Sequence, residues 1–237
     1  MGRAETLVVS QTSDLRPQTS MGETRHRMIT PQLMVWTVVC LALALGPIAA
    51  GTSRELLRPL VWLATVLGYR WFEQRVFCPR EVHGARKAEW LFYSIWTSLA
   101  GSIVLPPIEF VLHPRPLSIP WMVIGITLAI TGTWLRYLSV KTIGEHFSTH
   151  VEVRPGHELV DTGVMRVIRH PGYAGVMMFT MGAALILQSF YSLFFICFVF
   201  WTTQLIRIYY EEDELGRNLQ GYRDYMKRTK RLIPFVF

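Results

Sequence analysis

HELVDTGVMRVIRHPGYAG, His157 to Gly175, is a polar stretch lodged between two long apolar runs, and the rest of the chain is read outward from it. Two histidines, two arginines (Arg166 and Arg169) and a tyrosine crowd beside Pro171, which suits the first turn of an apolar helix beginning near Gly172. Proline is tolerated there because the N–H it lacks would have no partner anyway. A helix that starts at a membrane edge offers unpaired backbone N–H groups and positive dipole charge, a seat for a carboxylate or phosphate. Basic residues beside an apolar helix also serve to orient it in a membrane, and that accounts for Arg166 as well as a site does. The ordered cluster His170, Pro171, Tyr173 asks for more than anchoring.

The 237 residues suit one domain, but 51% hydrophobic residues and 13% aromatics describe a membrane protein rather than a soluble one. Mean hydropathy is positive, +0.27. The net charge of +7 lies between apolar runs instead of along one continuous stripe, which argues against nucleic acid as a partner. Cys40, Cys78 and Cys197 are far apart, so their spacing suggests neither a metal site nor a disulfide framework.

Residues 1–30 are polar and without apolar period, which predicts a disordered cytosolic tail ahead of one membrane domain, 31–237. Six apolar runs follow: Leu33–Gly51, Leu60–Phe72, Trp90–Leu112, Ile119–Val140, Gly172–Leu187 and Phe190–Ile206. A span needs about 20 apolar residues. Pro106 and Pro107 are expected to break or kink the third run, and Glu109 near its end is placed at the interface, with a polar partner inside the bundle as the alternative. Gly125 and Gly132 permit close packing of the fourth. From Arg207 to Arg231, Leu215, Leu219, Tyr222 and Met226 recur at helical spacing, predicting one amphipathic helix against the membrane surface. Glu214, Arg217, Arg223 and Asp224 are assigned to its solvated face. The expected fold is an all-α integral membrane protein of five to six transmembrane helices, with that C-terminal helix capping an active site on the cytosolic face. Lys and Arg counts in the loops support this orientation: Arg70 to Lys87, Lys141 to Arg169 and the C-terminal helix fall on one side, and the opposite loops carry only Arg54, Arg58 and Arg115.

Arg207 and Glu211 are four apart and so share a helix face where the last apolar run ends, with Glu212 adding a second carboxylate. An intrahelical ion pair is one reading; a polarised wall facing a ligand is the other. A glutamate on one side and a helix N-terminus with His and Arg on the other match a ligand bearing both an ammonium and a carboxylate, such as S-adenosylmethionine. No Gly-rich loop after a strand exists for a soluble nucleotide-binding domain, so helices and loops at the membrane must hold any cofactor.

GEHFSTHVEV (Gly144–Val153), HELV (His157–Val160), RHPGYAG (Arg169–Gly175), RIYYEEDEL (Arg207–Leu215) and the closing Tyr222, Tyr225, Ile233 and Pro234 resemble, in order and spacing, the isoprenylcysteine carboxyl methyltransferase family. The likeness covers about 136–234, the cofactor-binding part. It implies an S-adenosylmethionine-dependent O-methyltransferase acting on the carboxylate of a prenylated C-terminal cysteine, among membrane lipids. The membrane implied is the endoplasmic reticulum of a eukaryote or the cell membrane of a bacterium.

By the same resemblance the cofactor is held by His157, Glu158, Leu159 and Val160, by His170, Pro171, Gly172 and Tyr173, and by Glu211, with an upstream polar contact near His150 or Glu152. Arg207 is the catalytic and substrate-binding arginine that faces the acceptor carboxylate. Met165 stands where the family often has a tyrosine. The interval from Glu211 to Tyr222 is one residue shorter than usual, which keeps Glu212 in play as the cofactor contact. Rival readings are a phospholipid, small-amine or thiol methyltransferase of the same build, in which His150, His157 or Glu212 would serve as base; a sterol-type reductase; and a non-enzymatic scaffold. The sequence leaves the oligomeric state open.

Overall fold

The computed structural model describes residues 38–42, 46, 55–76, 89–144 and 159–234. Its helices are α1 (Leu57–Val76), α2 (Glu89–Leu112), α3 (Ile119–Ile143), α4 (Pro171–Leu187), α5 (Phe190–Asn218) and the short α6 (Tyr222–Arg228). Regular structure among the described residues is helical, apart from one isolated parallel bridge between Ile168 and Lys230. Three described helices are long and apolar enough to cross a membrane: Tyr93–Leu112, Ile119–Ile143 and Phe190–Asn218. Among the described residues, three of the expected five to six spans meet that length and composition. Most of Leu33–Gly51 lies outside the described residues, α1 absorbs Leu60–Phe72 into a longer and more polar helix, and α4 has only 17 residues.

Helices α3 and α4 form the centre of the molecule, and glycine lets them do so. They run antiparallel with Gly125 opposite Gly182 and Gly132 opposite Gly175, so backbone meets backbone. A Cβ on Gly182 would lie 2.5 Å from the Gly125 carbonyl oxygen, and one on Gly125 would lie 2.7 Å from the Gly182 carbonyl oxygen. Small residues are the means by which membrane helices approach closely, because lipid supplies no hydrophobic drive between them. Against this pair α1 packs Trp62, Val66 and Tyr69, the last stacked on Phe179 with ring centroids 3.9 Å apart.

Helix α5 carries a buried row at intervals of four: Ser192, Ile196, Phe200, Gln204, Ile208 and Glu212. A period of four drifts round a helix of 3.6 residues per turn. The π turn at Ile196–Phe200 takes up part of that drift and keeps the row facing α4. Exposed Tyr191 and Tyr209 lie 18 residues apart on α5, about 27 Å, close to the ~30 Å of a hydrocarbon core with aromatics at its two interfaces. Helix α4 covers only about 25 Å. Its C-terminal end joins α5 through Gln188 and Ser189, and its first turn lies level with Arg207 to Glu212 at the far end of α5.

Three local expectations are corrected. Helix α2 is not broken by Pro106 and Pro107 but continues to Leu112. Glu109 is not an exposed interfacial charge but finds polar partners inside the bundle: it accepts from Tyr191 N (3.1 Å), Ser192 N (2.7 Å), Ser192 Oγ (2.8 Å) and Arg115 Nη1 (2.8 Å), and so caps the start of α5. The amphipathic helix expected over 207–231 is two helices, because Gly221 takes a left-handed φ of 80° that ends one and starts the other.

Candidate active site

The first turn of α4 and the end of α5 meet at one end of the bundle. Pro171 occupies the first helical position, as its chemistry predicts, and Ala174 N donates to His170 O (3.1 Å), leaving the amides of Gly172 and Tyr173 as the first-turn donors. Gly172 is needed for packing as well: a Cβ there would lie 3.0 Å from Ser139 Oγ and 3.2 Å from Arg136 Nη1 on α3.

Opposite this turn, Arg207 and Glu211 face Tyr173. The Tyr173 hydroxyl donates to Glu211 Oε2 (2.5 Å), and the Arg207 guanidinium carbon lies 5.7 Å from the centre of the Tyr173 ring. The aromatic ring thus stands between the two charges of the helical pair, sharing its face with the cation and its hydroxyl with the carboxylate. On α3, Arg136 Nε lies 3.6 Å from Glu73 Oε1, while Tyr69 donates to that same oxygen (2.9 Å), so α1 reaches the rim of the same region.

Glu212, one residue on, does something else. It is 5% exposed and accepts from three side chains: Arg169 Nε on Oε1 (2.8 Å), His170 Nε2 on the same oxygen (3.2 Å) and Arg231 Nε on Oε2 (2.8 Å). A step of one residue rotates a side chain by about 100° round a helix, which puts Glu212 on the buried row and Glu211 on its neighbour.

The segment after α6 closes over this network. Arg169 N donates to Lys230 O (2.7 Å) and His170 N to Arg231 O (3.0 Å), while Arg169 Nη1 reaches Met226 O (3.0 Å) and Thr229 O. Tyr225 donates to Met165 O (2.6 Å). Burial pushes the Tyr225 phenol up to about 12 and raises that of Tyr222 further, with the nearby Glu211 and Glu212 charges adding to the latter. Both hydroxyls therefore stay protonated near neutral pH.

Of the residues singled out in the sequence, the fold brings together His170, Pro171, Gly172, Tyr173, Arg207 and Glu211. Leu159 and Val160 are half-buried, Leu159 Cδ2 lying 3.7 Å from where a Cβ on Gly221 would be. His150, Glu152, His157 and Glu158 lie outside the described residues. Of the four assigned to a solvated face, Arg217, Arg223 and Asp224 are exposed, but Glu214 is half-buried and its carboxylate accepts from Asn218 (3.0 Å). Sequence reasoning missed the supporting roles of Arg169, Arg231 and Tyr225. The row of four-residue steps from Ser192 to Glu212 was the available signal that Glu212 points inward.

Residues 123–217 match the model of the isoprenylcysteine carboxyl methyltransferase family. The segment resembles that family. Protein-S-isoprenylcysteine O-methyltransferase B of Arabidopsis thaliana is 29% identical over 164 residues, 65% of this chain and 83% of the plant protein. A probable protein-S-isoprenylcysteine O-methyltransferase of Oryza sativa subsp. indica is 34% identical over 122 residues, and the enzyme of that name in Saccharomyces cerevisiae is 30% identical over 147. This chain spans 63% and 61% of the length of those two relatives. In fold, the chain resembles the solved eukaryotic intramembrane Ras methyltransferase, with a TM-score of 0.56 at 22% identity over 85% of this chain and 74% of that one.

Proposed function

We propose that this chain transfers a methyl group from S-adenosylmethionine to the carboxylate of a prenylated C-terminal cysteine, at a site on the cytosolic face of its membrane. The observation that carries the reading is the arrangement of Arg207, Tyr173 and Glu211 opposite the first turn of α4, at the edge of an apolar helix. Its donor set suits a ligand with one anionic and one cationic end: first-turn amides of Gly172 and Tyr173 for a carboxylate, and Glu211 for an ammonium. When bound, S-adenosylmethionine supplies an electrophilic methyl carried on a sulfonium. His170 to Tyr173 and Glu211 would hold it, joined by His157 to Val160 and Glu152 if those family positions carry over.

The acceptor carboxylate is already ionised at neutral pH, so the reaction needs no base. One oxygen–carbon bond forms, one sulfur–carbon bond breaks with its electron pair staying on sulfur, and no proton moves. The protein's task is proximity and orientation, worth about 7 to 11 kcal/mol in favourable cases. Arg207, at the end of the apolar run of α5, meets a carboxylate whose prenyl tail stays in the bilayer. Its guanidinium is also held against the Tyr173 ring, which favours orienting the nucleophile over neutralising it.

The test is transfer of labelled methyl to a prenylcysteine acid, set against amine lipids under the same conditions. Ester formation on the acid is the expected result. Methylation of the amine with none of the acid overturns the reading, since an amine acceptor needs a base and gains nothing from Arg207.

A further inference from the structure

Glu212 is the point at which three separate parts of the chain meet. Through His170 and Arg169 it holds the loop that enters α4, through Arg231 it holds the C-terminal segment, and its own backbone belongs to α5 together with Arg207 and Glu211. A carboxylate only accepts, so its bond to His170 Nε2 requires a proton there and holds the ring turned one way. Main-chain bonds from Arg169 and His170 to Lys230 O and Arg231 O fasten the same loop from the other side.

We propose that Glu212 is the positioning residue of this site. Through it, and through Arg231, the segment Thr229–Pro234 holds the first turn of α4 at the spacing from Arg207 and Glu211 that donor binding needs. Arg231 and α6 lie outside the family-matched residues 123–217, so part of what shapes the site is supplied from beyond that segment. The inference deepens the methyltransferase reading and rests on it for the identity of the ligand. It differs from a merely adhesive role in what it demands: the tail must govern donor affinity, not only stability.

The experiment uses the full chain in lipid nanodiscs, with Arg231→Ala, Arg231→Lys and Glu212→Gln, and Arg217→Ala as an exposed control. Four quantities are read: the dissociation constant for S-adenosylhomocysteine by calorimetry, kcat at saturating donor, the melting temperature, and amide hydrogen exchange. Arg231→Ala is expected to weaken binding by about tenfold, the lower end of what losing a hydrogen bond to a charged group costs, with kcat held within about threefold. Arg231→Lys keeps the charge and is expected to recover most of the loss, and Glu212→Gln, which keeps the size and loses the charge, to weaken binding further. A fall in melting temperature with the dissociation constant unchanged overturns the proposal, since the tail is then only glue. Loss of kcat at unchanged affinity overturns it as well.

If the unmodified chain binds no donor at all, the function reading falls and exchange alone decides. In Arg231→Ala, faster exchange confined to the amides of Arg169 to Tyr173 upholds the clamp, and a rise spread equally over α3 overturns it.

Discussion

Replacing Gly132 by alanine tests the packing that sets α4 in place. An added Cβ would sit 2.7 Å from Phe179 N and 3.0 Å from Met178 Cβ, besides pressing on the Gly175 carbonyl. Against the 3.4 Å at which ordinary contact begins, the first of these falls short by about 0.7 Å. The obstruction is backbone on the facing helix, so no rotamer relieves it; α3 and α4 must separate, and the paired contact of Gly125 with Gly182 loosens with them. Overpacking of this kind costs about 1–3 kcal/mol, which for a chain of this size lowers the melting temperature by about 2–12 °C.

The same substitution at Gly68 on α1 meets nothing within 4 Å. Alanine there removes backbone freedom from the unfolded chain without a clash, so it is expected to stabilise by about 0.4–1 kcal/mol. The pair is read by thermal melts in one detergent, followed by donor binding. Gly132→Ala should melt lower and bind more weakly, because the first turn of α4 moves with its helix, and Gly68→Ala should melt higher and bind normally. Equal melting temperatures for the two variants would refute the close approach of α3 and α4.

Arg207→Lys keeps the charge but loses the planar two-point contact, so turnover of a prenylcysteine acid is expected to fall about 10- to 100-fold while donor affinity changes little; near-normal turnover removes Arg207 from acceptor binding. Glu211→Ala is expected to weaken donor binding by about tenfold, and Glu214→Ala by much less, in parallel titrations; equal losses mean that the acidic run acts as bulk charge. Glu109→Ala strips the cap from α5 and leaves Arg115 without its carboxylate, an expected loss of about 3 kcal/mol in stability with donor affinity unchanged, read by melts and calorimetry together.

What the sequence disclosed was mostly local chemistry. Pro171 beside His170 marked a helix start because proline's missing donor costs nothing there, and the structure begins α4 at that residue. Gly125 and Gly132 marked a close approach; their partners Gly175 and Gly182 stand at the same spacing of seven, but only the fold shows which glycine meets which. What stayed hidden was decided by tertiary context. Glu109 reads as an interfacial charge until the Phe190 turn is folded back beside it. The run from Arg207 to Arg231 keeps its apolar spacing on both sides of Gly221, so periodicity alone could not reveal that the chain turns there. The choice between Glu211 and Glu212 was open for a related reason: both fit the motif, and the face each occupies depends on the phase that α5 acquires over its π turn.

Why a membrane protein keeps a buried carboxylate between two arginines and a histidine is answered better by geometry than by stability. Taking charges out of water is costly, and replacing such a network by well-packed apolar groups often leaves a protein as stable or more so. An apolar plug between α4 and α5 would hold the helices together, but it would let the His170 ring turn and the entering loop slide. Glu212 forbids both, because each of its oxygens has an assigned donor and the donors come from two places in the chain, the loop entering α4 and the C-terminal segment. Glu211, one residue away, is bound by Tyr173 alone among the hydrogen bonds recorded for the described residues. Two neighbouring glutamates thus divide the work by helix phase, one fixing where the site stands and the other turned toward the space beside Arg207.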